Sequence, residues 1–561
     1  MKCVPQHITS FSGQSSKPEK LHATPFSKEQ ITLPKEEYIQ LKWEVNYWKS
    51  QHQRAIIRED ELKTNIAELE AQIKDLKHRV FGKKSEKSKS SKDKTKKQDG
   101  SSGKRGQRPG TKGHGRTKRK KLPSVTEVHD LPEDEKCCPV CGAPLADFPC
   151  TEDSEIIEIE VKAYKRRIKR KCYKKTCKCE SPGIKSAPPA PRLIKKSYLG
   201  ISVWVTILLD KFLYARPTSR LLVDLSHHGL DIAQGTLTGG LQKIAPLFEC
   251  LVAEFYKKQM TERLFHADET RWEVYEETEN KIGHRWYLWV TQSPSVIYFN
   301  IDPTRAASVP MEHFANLNPS TFKAIVICDR YSAYKKLANN SDVIILAFCW
   351  AHVRRDFLDV ARSWPKLEKW AFEWVNDIKE LYQLNGNRLK QWDKSKPLLE
   401  QSFEFTRQHN ALLSKLAAMA SRYKQALDDE NLHPAQKKVL NSLKNHWKGL
   451  TIFALHPEVA MDNNTAERAI RNPIIGRKGY YGSGAVWSAE LASMMFTVFQ
   501  TISLWQLNPR HWLTSFLQAC AENGGRAPHD LTPFLPWKMS NEQKELFSRP
   551  ILPEKPPPHT L

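Results

Sequence analysis

Leu264-Phe265-His266-Ala267-Asp268 is the stretch that decides the fold. Asp268 closes a run that reads as a buried strand, within a strand-like stretch from Arg263 to Val274. Two later stretches answer it. Ala324-Ile325-Val326-Ile327-Cys328 is wholly apolar and is followed by Asp329, as expected of a strand buried on both faces. Asp462-Asn463-Asn464-Thr465-Ala466-Glu467-Arg468 opens a segment with helical character. Carboxylates brought together from two strand ends and one helix suit divalent ions, because hard cations take oxygen ligands. Two such ions can activate an attacking oxygen and steady a leaving oxygen on phosphorus.

The elements between these stretches set a strand order. Arg285 to Thr291 and Val296 to Ile301 are rich in Trp, Tyr, Val and Ile and form a hairpin around Ser293-Pro294. Ala306 to Leu317 reads as a helix, Tyr331 to Ala338 as another, Val343 to Phe348 as a buried strand, and His352 to Ala361 as a helix. Three meander strands, then helix, strand, helix, strand, helix, is the order of a ribonuclease-H-like core. The first and fourth strands of that core are neighbours, so Asp268 and Asp329 would sit side by side and repel unless a cation lay between them. Asp329 alone also reads as a strand-end cap. Glu467 has a second reading too, since Asn464-Thr465-Ala466-Glu467 is a capping-box pattern at a helix start.

Outward from this core, composition bounds the rest. The chain has 561 residues, enough for several domains at about 100–200 residues each. Its net charge is +25 and its pI is near 9.4, which points to a polyanion partner, most often nucleic acid. The best apolar window, Ile201 to Leu209, is about half the ~20 residues needed to span a bilayer. No secretory leader is expected. A cytosolic protein follows, and in a reducing compartment its 12 cysteines would not form a disulfide framework.

Residues 1–34 read as a flexible N-terminus and 35–81 as a leucine-zipper-like coiled coil. Leu62, Ile66, Leu69, Ile73, Leu76 and Val80 make a heptad seam, and Ala55, Trp48, Val45 and Leu41 continue it backwards past polar breaks at His52 and Glu59. One long amphipathic helix packed within its own domain is the alternative. Self-association through the seam would give a homo-oligomer able to hold two DNA ends. Residues 82–121 carry 17 Lys or Arg against three acids, a net +14, with almost nothing apolar. They read as a basic disordered linker suited to phosphate contact.

Residues 122–181 read as a zinc-finger-like segment. Cys138-Pro139-Val140-Cys141-Gly142 has knuckle spacing, and Cys172, Cys177 and Cys179 follow it as candidate partners in a tetrahedral site. Lys165, Arg166, Arg167, Lys169, Arg170 and Lys171 interleave the second half, which suits DNA backbone contact. Residues 182–197 are a Pro-rich linker. Residues 198–255 are helical. A helix starting at Pro217, a break at Gly229 and a second helix from about Gly235 to Leu247 fit either a helix-turn-helix or a plain helical hairpin. The core is then split: 256–361 forms its first part, 362–456 a helical insertion, and 457–522 the second part with Glu467. Arg468 and Arg471 lie within a helical turn, where phosphates would approach. Gly476-Arg477-Lys478-Gly479-Tyr480-Tyr481-Gly482-Ser483-Gly484 reads as a basic, aromatic loop, with stacking on bases as one use and an ordinary surface loop as the other. Trp487 to Leu504 is a core helix, and 523–561 a Pro-rich C-terminal tail.

These residues resemble a known family. His266-Ala267-Asp268-Glu269-Thr270, Cys328-Asp329-Arg330-Tyr331, Cys349-Trp350-Ala351-His352-Val353-Arg354-Arg355 and Asn463-Asn464-Thr465-Ala466-Glu467-Arg468 look like the insertion sequence 66 family of bacterial transposases. The start ending Phe81-Gly82-Lys83-Lys84-Ser85-Glu86 and the ending Pro533-Phe534-Leu535-Pro536-Trp537 extend the likeness over nearly the whole chain. The resemblance implies a DDE transposase, with Asp268, Asp329 and Glu467 as the triad holding two Mg²⁺ or Mn²⁺ ions. It implies a structural zinc on Cys138, Cys141, Cys177 and Cys179, with Cys137 and Cys172 left over. Candidate DNA contacts are Arg330, Arg354, Arg355, Arg468, Arg471, Arg477 and Lys478. The expected partners are double-stranded DNA, transposon ends and target alike, and accessory proteins of the same element. The expected setting is the bacterial cytoplasm, at the nucleoid. The fold class so read is multidomain α/β: a ribonuclease-H-like core with a helical insertion, preceded by a coiled coil, a basic disordered tract, a zinc-binding segment and a helical DNA-binding region. Three rival functions share these residues: a catalytically silent DNA-binding protein derived from a transposase, a ribonuclease-H-like nuclease without joining activity, and a zinc-dependent structural scaffold.

Overall fold

A computed structural model describes residues 32–81, parts of 130–176, and residues 184–279, 283–317 and 323–549. The basic tract 82–121 and the cysteines Cys138, Cys177 and Cys179 lie outside the described residues. The chain divides into two compact units, Met1–Ser90 and Ser91–Leu561.

In the first unit, Lys35–Phe81 is one helix, α1, of 47 residues. At 1.5 Å per residue it is about 70 Å long. Glu36 and Glu37 in its first turn complement the helix dipole. The seam residues Leu41, Val45, Trp48, Leu62, Ile66, Leu69 and Ile73 are all exposed on it.

The second unit contains a two-stranded sheet ahead of its helices. Strands β1 (Cys172–Lys174) and β2 (Ile184–Ser186) pair antiparallel with Tyr173 opposite Lys185. Helix α2 (Ile201–Leu208) runs into a π-helical turn at Leu209–Leu213. Helices α3 (Thr218–His227) and α4 (Gln234–Ile244) follow with residues 228–233 between them, and then α5 (Glu249–Gln259).

Five strands form the central sheet. They are β3 (Leu264–Glu273), β4 (Arg285–Gln292), β5 (Ile297–Asp302), β6 (Ala324–Cys328) and β7 (Ile344–Phe348), in the order β5-β4-β3-β6-β7. β3, β4 and β5 are antiparallel, whereas β6 pairs parallel to both β3 and β7. The first and fourth strands are therefore neighbours, as the sequence order anticipated. β6 is buried at every residue, which explains its unbroken apolar run.

Helices cover both faces. Short α6 (Ser308–His313), α7 (Ser332–Asn339) and α8 (Trp350–Ser363) lie between and after the strands. α9 (Glu368–Lys390), α10 (Phe403–Leu427), α11 (Pro434–Leu450) and α12 (Ile452–Leu455) form the all-helical stretch before α13 (Asn464–Tyr480). α14 (Val486–Leu504), α15 (Pro509–Glu522) and α16 (Asn541–Ser548) complete the chain. Period-two alternation sends β3 side chains into two different cores. Phe265 and Ala267 pack with β6, β7 and the helices α8 to α11. Trp272 and Val274 pack with α2, α5, α14 and α15.

Two local readings are corrected. Gly476 to Gly479 is not loop: α13 continues to Tyr480, and the chain turns at Tyr481 with φ 64°. The Tyr480 hydroxyl lies back over Gly476, where an added Cβ would come within 2.4 Å, so the helix takes a glycine there. Pro473 sits inside α13 and has no N–H for the Ala469 carbonyl, but the Gln500 side chain donates to that carbonyl at 2.8 Å. Nor is 523–549 a loose tail. Phe534, Leu535, Met539 and Phe547 are buried in the core, and the Trp512 indole N–H donates to the Phe534 carbonyl at 3.1 Å.

Candidate active site

Asp268 is the fifth residue of β3, Asp329 follows the last residue of β6, and Glu467 is the fourth residue of α13. In the parallel β3–β6 pair, His266 lies opposite Ile327. The pairing ends there; Asp268 lies two residues further along β3 and Asp329 two residues beyond Ile327, near enough for the charge of Asp329 to act on Asp268. α13 crosses the same face of β3. His266 bonds to Asn463 before the helix, Thr270 accepts from Arg477 within it, and Asp268 lies between them on the period-two face.

The electrostatics tie the three acids together. Burial pushes the Asp268 carboxyl up to about 7, and the charges of Glu269, Asp329 and Glu467 push in the same direction. The Glu269 backbone N–H donates to Asp268 at 2.9 Å and opposes the rise. One oxygen of Asp329 accepts the Tyr331 N–H at 2.9 Å, so the strand-end capping role is filled as well. Glu467 is not in a capping box: the helix N-cap is Asn463, and no side chain caps it. Instead the Glu467 carboxylate lies 4.0 Å from His352 Nε2. The other ring nitrogen of His352 is buried without a hydrogen bond, and burial holds this imidazole below its ordinary pKa. Among the described residues, no three His, Cys, Asp or Glu side chains are close enough together to share one ion.

Sequence reasoning assigned no role to Glu269, although it adjoins Asp268. It points to the opposite face, as alternation requires. Its side chain is 2% exposed, with Arg305 Nε at 3.0 Å and the Tyr334 hydroxyl donating at 2.8 Å. Burial raises its pKa against the pull of Arg305. The Arg305 guanidinium stacks on the Tyr331 ring at 3.9 Å, two residues past Asp329. Alternation along β3 was the available signal.

The candidate DNA-contact residues separate into two groups. Arg330 is paired with Asp356 at 2.7 Å and donates to Ser442 at 2.9 Å. Arg477 donates to Thr270 and to the Arg271 carbonyl, and Arg354 is half-buried. Arg355, Arg468, Arg471 and Lys478 are exposed. Tyr481 is exposed, whereas burial raises the Tyr480 phenol above its ordinary pKa. Of the zinc candidates, Cys141 is described and exposed. Cys172 lies on β1, with its sulfur 3.0 Å from the Ser186 hydroxyl.

Three proteins of Sinorhizobium fredii are related to this chain. The uncharacterized protein y4hP is 25% identical over 73% of this chain and 75% of its own length. Uncharacterized y4jD is 25% identical over 75% and 82%, and uncharacterized y4qI 24% identical over 64% and 64%. Among solved structures, the Mos1 transposase paired-end complex with left transposon end covers 42% of this chain and 81% of its own, at 13% identity and a TM-score of 0.13. That score is too low to equate the folds. The Transposase IS66 family model matches residues 196–491, more than half the chain, and the protein belongs to that family.

Proposed function

We propose that this protein is a DDE-type DNA transposase that binds the ends of its insertion sequence, cleaves a strand and joins it to target DNA. What supports the proposal is Asp268 in the middle of β3, Asp329 just past the end of the neighbouring β6 and Glu467 in the first turn of α13, with the charges of the other two acids helping to push Asp268 up to about 7. A buried carboxyl surrounded by like charge is a place where a cation is favoured. The donors are all carboxylate oxygens, which suits Mg²⁺ or Mn²⁺. Asp268 and Asp329 would hold one ion, and Asp268 and Glu467 the other. When bound, such ions activate the attacking oxygen and stabilise the leaving oxygen at phosphorus.

The chain's own side chains then position DNA. Exposed Arg468 and Arg471 follow Glu467 on α13, and exposed Arg355 lies one turn from His352, the neighbour of Glu467; they would neutralise phosphates near the scissile bond. α3 and α4 are a helix-turn-helix candidate, with Gln234, Thr238, Gln242 and Lys243 exposed on α4. The exposed seam of α1 supports pairing with a second copy, so that two ends are held together. A structural zinc on the cysteine segment and accessory proteins of the same element complete the proposal. Among the described residues no helix is long and apolar enough to cross a membrane, and the proposed setting is the bacterial cytoplasm, on the nucleoid.

The test is a Mg²⁺-dependent reaction on DNA carrying the element's own ends, with the accessory proteins present. The expected product is an end joined to target DNA, abolished by chelator. Cleavage without joining would favour the nuclease reading, and DNA binding with neither product the silent binding protein.

A further inference from the structure

Asn463 is 1% exposed, and every polar group it bears has a partner close to the three acids in the fold. Its side-chain N–H donates to the Ala267 carbonyl at 2.8 Å, one residue before Asp268. Its side-chain oxygen lies 3.2 Å from His266 Nδ1, two residues before Asp268. With the amide nitrogen committed to a carbonyl, that oxygen accepts, so His266 Nδ1–H is the donor. Its backbone carbonyl accepts the Glu467 N–H at 3.1 Å. Its backbone N–H donates to the Cys349 sulfur at 3.3 Å. Cys349 in turn donates its own N–H, at 3.2 Å, to the carbonyl of Cys328, the residue before Asp329.

The buried amide thus ties the start of α13 to β3 within one or two residues of Asp268 and one turn from Glu467, while the Asn463 backbone N–H reaches β6 indirectly, through Cys349. The chain separation between the partners makes this a tertiary device: Asn463 lies 196 residues from Ala267 and 114 from Cys349. Resting on the triad proposed above, we infer that Asn463 is the positioning residue of the site, setting the separation of its carboxylates without touching DNA or ion itself. Alanine here removes the bonds to the Ala267 carbonyl and to His266 Nδ1, so the start of α13 beside Glu467 loses its side-chain tie to β3 beside Asp268, although Arg477 still holds the far part of the helix to Thr270 and Arg271. Outer partners that orient ligands typically change metal affinity or activity by about 10–100-fold when removed.

The experiment is a Mn²⁺ titration of the full-length chain without DNA, read by paramagnetic resonance of the free ion. It compares wild type, Asn463→Ala, His266→Phe and Asp329→Asn. Each is also melted, and each is tested for binding to the element's ends in chelator. Asn463→Ala is expected to weaken Mn²⁺ binding about tenfold, with DNA binding in chelator unchanged. His266→Phe removes one contact only and stays interpretable if Asn463→Ala unfolds; it is expected to weaken binding about threefold, the worth of one modest hydrogen bond. Wild-type Mn²⁺ affinity in both variants, with Asp329→Asn impaired, overturns the positioning role and leaves the triad standing. Mn²⁺ binding absent from wild type, or unchanged in Asp329→Asn, overturns the triad and this inference with it.

Discussion

Gly239 and Gly240 are adjacent in α4, and alanine should act on them with opposite sign. Glycine in a helix interior costs about 1 kcal/mol relative to alanine, so either substitution gains roughly that much in helix propensity. Position 239 has open space: nothing lies within 4 Å of an added Cβ. Position 240 faces the core. There a Cβ would meet the Trp204 ring at 1.9, 2.6 and 2.8 Å. Trp204 is 1% exposed and its indole nitrogen has no hydrogen-bond partner, so no polar contact is lost if the ring moves, but buried neighbours oppose the movement. Overpacking of this kind costs about 1–3 kcal/mol, and three ring atoms inside contact distance put it at the upper end. Gly239→Ala should therefore stabilise by about 1 kcal/mol and Gly240→Ala destabilise by about 2 kcal/mol. Urea unfolding at constant slope reads both as shifts in midpoint. Trp204→Leu in the Gly240→Ala background should recover part of the loss, as coupling in a double-mutant cycle. A Gly240→Ala chain as stable as wild type would refute the packing of α4 on α2.

Two further substitutions test other joints. Gly482 has φ 139°, and a Cβ there would lie 2.2 Å from the Glu273 carbonyl oxygen. Beside it, Ser483 N–H donates to that carbonyl at 2.8 Å and the Trp272 indole donates to the Ser483 hydroxyl at 3.1 Å. Gly482→Ala should cost on the order of 3 kcal/mol through backbone strain and weakened bonds, seen as a lower urea midpoint. Lys211 has its pKa lowered by burial to about 8, with its ammonium 4.6 Å from the Tyr480 ring centroid. The unfolded chain binds this proton more tightly, so stability should rise with pH between about 8 and 10.5. Lys211→Met should remove that rise and stabilise the protein at pH 7 by about 1–3 kcal/mol, the cation–π contact offsetting part of the burial cost. A pH profile identical to wild type would contradict the burial of Lys211.

The sheet was legible because its strands obey local rules. β6 has no polar residue to misplace, and β3 alternates between half-buried and buried residues from Leu264 to Asp268. Strand order then followed from element order, and with it the adjacency of β3, which carries Asp268, and β6, which Asp329 follows. What escaped the sequence depends on distant partners. Asn463 looks like one of two ordinary cap residues until Ala267 and Cys349 are seen beside it. Gly476 and Gly479 carry the local signal of a loop, and nothing nearby reveals that Tyr480 packs over Gly476 or that Gln500 serves the carbonyl Pro473 leaves free. The segment after Asn523 is Pro-rich and reads as tail, yet Phe534 and Phe547 are buried against α15 and its start. Glu269 was overshadowed by its neighbour, since two acids in succession look like one site although a strand sends them to opposite faces.

The central claim is that Asp268, Asp329 and Glu467 act as one unit. The most direct measurement is single-turnover cleavage of the element's ends in Mg²⁺ by Asp268→Asn, Asp329→Asn, Glu467→Gln and the double variant Asp268→Asn/Glu467→Gln. Residues that act as a unit are strongly non-additive. All three single variants should therefore fall to one common floor, with unchanged DNA binding in chelator, and the double variant should fall no lower. A single variant that keeps wild-type cleavage, or a double variant whose loss is the product of two partial losses, would contradict the shared site.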